Sequence, residues 1–128
     1  ATAGNQGNTS IRSVCIYERA HRPGGRIHSL RNQGPFKDLV VEVGAYRFAP
    51  TMVISPGGGK ITTPITAATI SALNLSTAPY NPNPNDWDHG FHKIVDAEGH
   101  DAGYLTVVEA MLEHAVSNGA HVQFGAEV

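Results

Sequence analysis

Glu18 closes an apolar run, Ser13-Val14-Cys15-Ile16-Tyr17-Glu18, and Gly24-Gly25-Arg26 follows after a short polar stretch. A carboxylate ending a strand can accept hydrogen bonds from ribose hydroxyls in a dinucleotide-binding unit. Paired glycines let a backbone approach a pyrophosphate closely, and an arginine adds charge and a fork of donors. Arg19 and Arg22, between the acid and the glycines, read as solvated loop arginines. A second set of residues is Glu42-Val43-Gly44-Ala45-Tyr46-Arg47-Phe48. Gly44 and Ala45 are small enough for a backbone to pack against a planar ring system. Arg47 carries a fork that suits a carboxylate; its structural alternative is an ion pair with a nearby acid.

Strands must position both sets. β-Branched and aromatic residues predict strands over 13–18 and 39–43, with a turn at Gln33-Gly34-Pro35 and a short extended piece at 27–30. Ser55-Pro56-Gly57-Gly58-Gly59-Lys60 has Ile61 where a phosphate loop needs serine or threonine, so it reads as a linker. A weak apolar period predicts a short helix over 67–75, closed by Asn74. Pro79, Pro82 and Pro84 predict a loop over 78–89, pinned by Trp87 and Phe91, before an edge strand over 91–96. Leu105, Val108, Met111, Leu112, Ala115 and Val116 follow a 3-4 rhythm, which predicts a helix capped by Asp101 or Thr106. Asn118-Gly119 should end it, ahead of a strand at 121–124.

The blocks around Glu18 and Glu42 resemble the flavin-containing amine oxidase family, which includes monoamine, polyamine and L-amino-acid oxidases. The resemblance implies an α/β fold: a partial Rossmann-like FAD-binding domain, incomplete at both ends. It implies cofactor contacts to FAD from Glu18 (ribose), Gly24, Gly25 and Arg26 (pyrophosphate) and Gly44 and Ala45 (flavin ring). Val128 would meet adenine through its backbone. Arg47 matches the arginine that pairs with the substrate α-carboxylate in the L-amino-acid oxidase branch. The implied reaction is oxidative deamination of an amine or amino acid: hydride passes to flavin, the imine hydrolyses, and oxygen is reduced to peroxide. No residue of this chain is assigned a catalytic role.

The strand, G-x-G-x-x-G turn and helix that precede the acid-ended strand need much of a βαβ unit of roughly 30 residues. Residues 1–13 offer Gly4 and Gly7 at the wrong spacing and read as a flexible lead-in. Residues 14–54 then form a partial FAD-binding region and 55–100 a loop-rich segment. Residues 101–128 form a helix-strand return to the FAD-binding region. Two functions stay open: part of a flavin-dependent oxidase, or a non-catalytic structural or interaction subunit of a larger assembly derived from that family. Other protein chains are expected partners, with an amine or amino-acid substrate where a complete site exists.

Composition excludes other classes. Nine lysines and arginines against eleven acids, with no basic run, argue against nucleic acid. No segment approaches the ~20 apolar residues of a membrane-spanning helix, and no signal peptide is visible. The single cysteine, Cys15, lies in an apolar strand and is expected to be buried as a small hydrophobe. The seven histidines, with His89 and His92 three apart beside Asp86 and His100-Asp101, show no zinc-ligand spacing.

Overall fold

The computed structural model describes residues 13–33, 35–53, 60–62, 64–85 and 90–127. The lead-in up to Arg12, the Gly57–Gly59 run, Asp86, Trp87, His89 and Val128 lie outside them. Among the described residues eight strands and two helices follow one another, making a small mixed α/β arrangement consistent with part of a flavin-binding domain. β1 (Val14–Glu18) pairs in parallel with β8 (Ala120–Phe124), setting Glu18 opposite Phe124 at the ends of both strands. β2 (Ser29–Gln33) and β3 (Phe36–Glu42) form an antiparallel hairpin around the expected turn. β4 (Thr51–Val53) pairs with β5 (Lys60–Thr62), so part of the stretch read as a linker is a strand.

α1 (Pro64–Ala72) begins earlier than its apolar period implied, at a proline, which suits a first helical turn. Asn74 ends its last turn in a left-handed conformation, φ 55°. β6 (Thr77–Pro79) pairs antiparallel with β7 (His92–Ile94), which corrects the loop expected to start at Ala78. A proline is tolerated at the end of so short a strand, where its missing N–H breaks little of the ladder. On its other side β7 meets Phe48, which exchanges two backbone hydrogen bonds with His92 at 3.0 and 2.8 Å.

The core lies beside this junction. Phe48, Ile70, Ile94 and Val107 are buried together, with Leu73, Leu75, Ala102 and Tyr104 packed around them. α2 (Leu105–Ser117) contributes Val107, a position outside its 3-4 apolar row. It therefore has two apolar sides, one toward the core and one, through Val108, Leu112 and Ala115, toward the β1–β8 pair. The helix ends as expected at Asn118 and Gly119, the latter at φ 90°. Its start is different. Asp101 takes the Gly103 N–H and Thr106 donates to Ala102 O, so neither caps it.

Cys15 is exposed, against expectation. The reason is that β1 has a single partner strand among the described residues, and Val14, Ile16 and Tyr17 are also largely open. The hairpin is tied to α2 by Arg31, whose Nη1 meets both Glu109 carboxylate oxygens at 2.9 and 3.2 Å while Nη2 donates to Thr106 Oγ1. Both ends of this ion pair are partly solvated. Arg31→Met should cost no more than about 1 kcal/mol, and the loss should shrink as salt is raised. Urea denaturation at two ionic strengths measures it.

Candidate functional site

Glu18 is set by the end of β1, where its Oε1 accepts the Ala20 N–H at 2.8 Å and turns the chain. Its other carboxylate oxygen has no partner among the described residues. The continuation of β8 fixes the same loop: Ala126 N–H bonds Glu18 O, and Gly125 N–H bonds Ala20 O. The His21 ring covers Gly125, where a Cβ would meet it at 2.8 Å.

Glu18, Pro23 and Gly24 line one groove of about 350 Å³. Ile16, Val122 and Phe124 from the sheet and Met111, Leu112 and Ala115 from α2 form its walls. The groove is apolar except for the carboxylate, a combination that accommodates a flat, partly polar ligand.

Within the turn the two glycines differ. Gly24, φ 96°, is enclosed: a Cβ there would stand 2.5 Å from Ile27 O and 2.8 Å from a Leu105 methyl. Gly25, φ 55°, has nothing within 4 Å of that position. Arg26 is exposed, and its side chain has no partner among the described residues. The turn is thus open at Gly25 and Arg26, and Glu18 keeps a carboxylate oxygen without a partner among the described residues. These residues fit the nucleotide end of a dinucleotide such as FAD: an acceptor for ribose hydroxyls, a bare backbone and a free cation.

The second block is brought against the first. Gly44, φ 135°, lies so close to Arg26 that a Cβ would fall 1.8 Å from the Arg26 carbonyl oxygen. Val43 N–H bonds His28 O at 2.7 Å and holds this approach. The chain's own backbone therefore needs a glycine at 44. Ala45 is exposed. Arg47 lies beyond, with its guanidinium carbon 4.3 Å from the Phe91 ring centroid, 4.7 Å from Tyr46 and 5.5 Å from Tyr80. Such face contacts favour a cation.

Three structural roles around the site were not legible in the sequence. Arg22 is half-buried and bonds carbonyls of the diglycine turn, where a solvated arginine was expected. Glu42 and the buried Ser29 close the N-terminus of α2. Tyr104 N–H donates to Glu42 Oε1 at 2.5 Å, Leu105 N–H to Ser29 Oγ at 2.9 Å, and Ser29 O–H to Glu42 Oε2 at 2.7 Å. The acid ending β3 was visible in sequence, but a partner 62 residues away was not.

Titration offers little beyond this. Desolvation opposes the shift at Asp96, but the His100 backbone N–H, the His100 ring and the Glu98 N–H outweigh it and lower its carboxyl below the usual range. Burial raises the Tyr104 hydroxyl. Among the described residues no three His, Cys, Asp or Glu converge as metal ligands, and no helix is long and apolar enough to cross a membrane.

Neither the curated proteins nor the solved structures compared with this chain give a significant match. The sequence profile described as flavin containing amine oxidoreductase matches residues 3–102, which include Glu18, the diglycine turn and the Gly44–Arg47 block. With more than half its length matched, and with those blocks packed against each other, the chain belongs to the flavin-containing amine oxidoreductase family.

Proposed function

We propose that this chain supplies the nucleotide-binding portion of an FAD-dependent amine oxidase of the L-amino-acid oxidase type, acting by oxidative deamination. The observation that carries this reading is the shared groove of Glu18 and Gly24, with the exposed Arg26 two residues beyond Gly24 in the chain. In it, Glu18 accepts from the adenosine ribose, and Gly24, Gly25 and Arg26 receive the pyrophosphate. Gly44 and Ala45 lie along the ring system, and Val128 meets adenine. Arg47 holds the substrate α-carboxylate, its charge steadied by Phe91, Tyr46 and Tyr80. When bound, flavin supplies the electron acceptor for oxidation at the amine-bearing carbon. The first βαβ unit of a Rossmann-like fold would lie alongside β1, which has one strand partner among the described residues.

Titration of the purified chain with FAD, followed by flavin absorbance and fluorescence, tests the reading. Glu18→Gln should weaken FAD binding about tenfold or more, the worth of one charge-assisted hydrogen bond. Wild-type protein that takes up no FAD would end the proposal.

A second reading has its own support. Val14, Tyr17, Met111 and Val116 are each about half exposed, from 47% to 58%. Apolar surface of this extent suits a non-catalytic subunit covered by other chains. A chain that ignores FAD yet sediments as a defined assembly would favour this reading; a colourless monomer would oppose both.

A further inference from the structure

Arg22 differs from Arg19 and Arg26, which are exposed, in being half-buried and turned into its own loop. Its Nη1 donates to Pro23 O at 3.1 Å and, more weakly, to Ile27 O at 3.4 Å; Nη2 donates to Gly25 O at 2.8 Å. Gly24 O accepts the Ile27 N–H at 2.8 Å, and Arg26 O lies against Gly44. The carbonyls of Pro23, Gly24, Gly25 and Ile27 are therefore held by hydrogen bonds within the protein. The N–H groups of Gly24, Gly25 and Arg26, by contrast, find no acceptor among the described residues. A turn with four of its carbonyls held and three successive N–H groups without an acceptor leaves those N–H groups to an anion.

We propose that Arg22 is a positioning residue for a pyrophosphate: by holding the Pro23, Gly25 and Ile27 carbonyls it leaves the Gly24, Gly25 and Arg26 N–H groups and the Arg26 guanidinium to the anion. The inference rests on the reading of this turn as a nucleotide cradle. Arg22 does not touch the ligand. Its planar fork is what spans three carbonyls at once. A lysine, a point charge on a flexible stem, cannot hold them in one arrangement.

The test uses ADP and adenosine as probes, with wild type, Arg22→Lys and Arg22→Gln compared by calorimetry. Wild type should prefer ADP. Both variants should lose about tenfold of that preference, with adenosine affinity unchanged. Exchange of the Ile27 N–H should accelerate in parallel. A general loosening would weaken both ligands alike and overturn the positioning role. Full ADP preference in Arg22→Lys would overturn it too, leaving the cradle reading intact. A wild type that binds ADP no better than adenosine would overturn the cradle reading and this inference together. Should the variants not fold, NMR of the wild type decides. A slowly rotating Arg22 guanidinium, with Gly24, Gly25 and Arg26 amides shifting on ADP addition, supports the proposal; a freely rotating one overturns it.

Discussion

Gly44→Ala should unfold the chain or cost at least about 4 kcal/mol, at the extreme of single substitutions. Two independent effects act at this residue. Its φ of 135° is one that side chains rarely adopt, and the new Cβ would lie 1.8 Å from Arg26 O and 3.0 Å from the Arg26 carbonyl carbon. Backbone cannot rotate away as a side-chain tip can. Nor can residues 43–44 simply retreat, because the Val43 N–H bond to His28 O fastens them at 2.7 Å. Gly25→Ala is the matched control. It also has a positive φ, 55°, but nothing stands within 4 Å of its Cβ position. That substitution should cost only the left-handed backbone penalty, roughly 1–2 kcal/mol. Urea denaturation of both variants gives the comparison. Equal losses would mean that the 18–26 loop and the 42–48 segment are not packed together, and the composite site would lose its basis.

This contact also marks what the sequence could and could not disclose. Local signals were reliable where local physics decides. The β-branched run to Glu18, the Asn118-Gly119 stop and the turn between Gln33 and Phe36 lie where expected. The acid and the diglycine were legible as one unit because a single short stretch, Glu18 to Gly25, carries both. Errors arose where distant residues decide. Pro79 signalled a loop, yet pairing with His92 makes the segment a strand. The apolar strand around Cys15 predicts burial, but burial depends on how many neighbours that strand has, and Cys15 is exposed. Arg22 carries the same side chain as Arg19 and Arg26, and only the folded turn separates one that organises carbonyls from two that face solvent. Asp101 and Thr106 are the cap candidates that the sequence offers near the start of the apolar row. The groups that occupy that place come from β2 and β3.

Those groups yield the second large effect. Glu42→Ala should cost about 3 kcal/mol, the sum of a lost helix cap and a charge-assisted hydrogen bond. Glu42 receives the Tyr104 N–H and the Ser29 O–H, and Ser29 Oγ receives the Leu105 N–H. The first turn of α2 thus has its free donors closed by residues of the hairpin, and a carboxylate there also complements the positive end of the helix. Removing it strands the Tyr104 N–H and frees the Ser29 hydroxyl to rotate. Glu42→Gln should be milder, about 1 kcal/mol, since an amide oxygen still accepts from Tyr104 while its NH2 donates to Ser29 Oγ. Hydrogen exchange provides the local readout: Tyr104 and Leu105 amides should lose protection together in Glu42→Ala, ahead of the middle of α2. The same joint holds Gly103 against Ser29 and Val40, and places Leu105 against Gly24 in the diglycine turn. Loosening it should therefore also weaken any nucleotide bound at that turn, although Glu42 itself is read only as a cap. If Glu42→Ala and Glu42→Gln were equally benign, α2 would be held by its apolar sides alone, and the groove beside Glu18 would not depend on the hairpin.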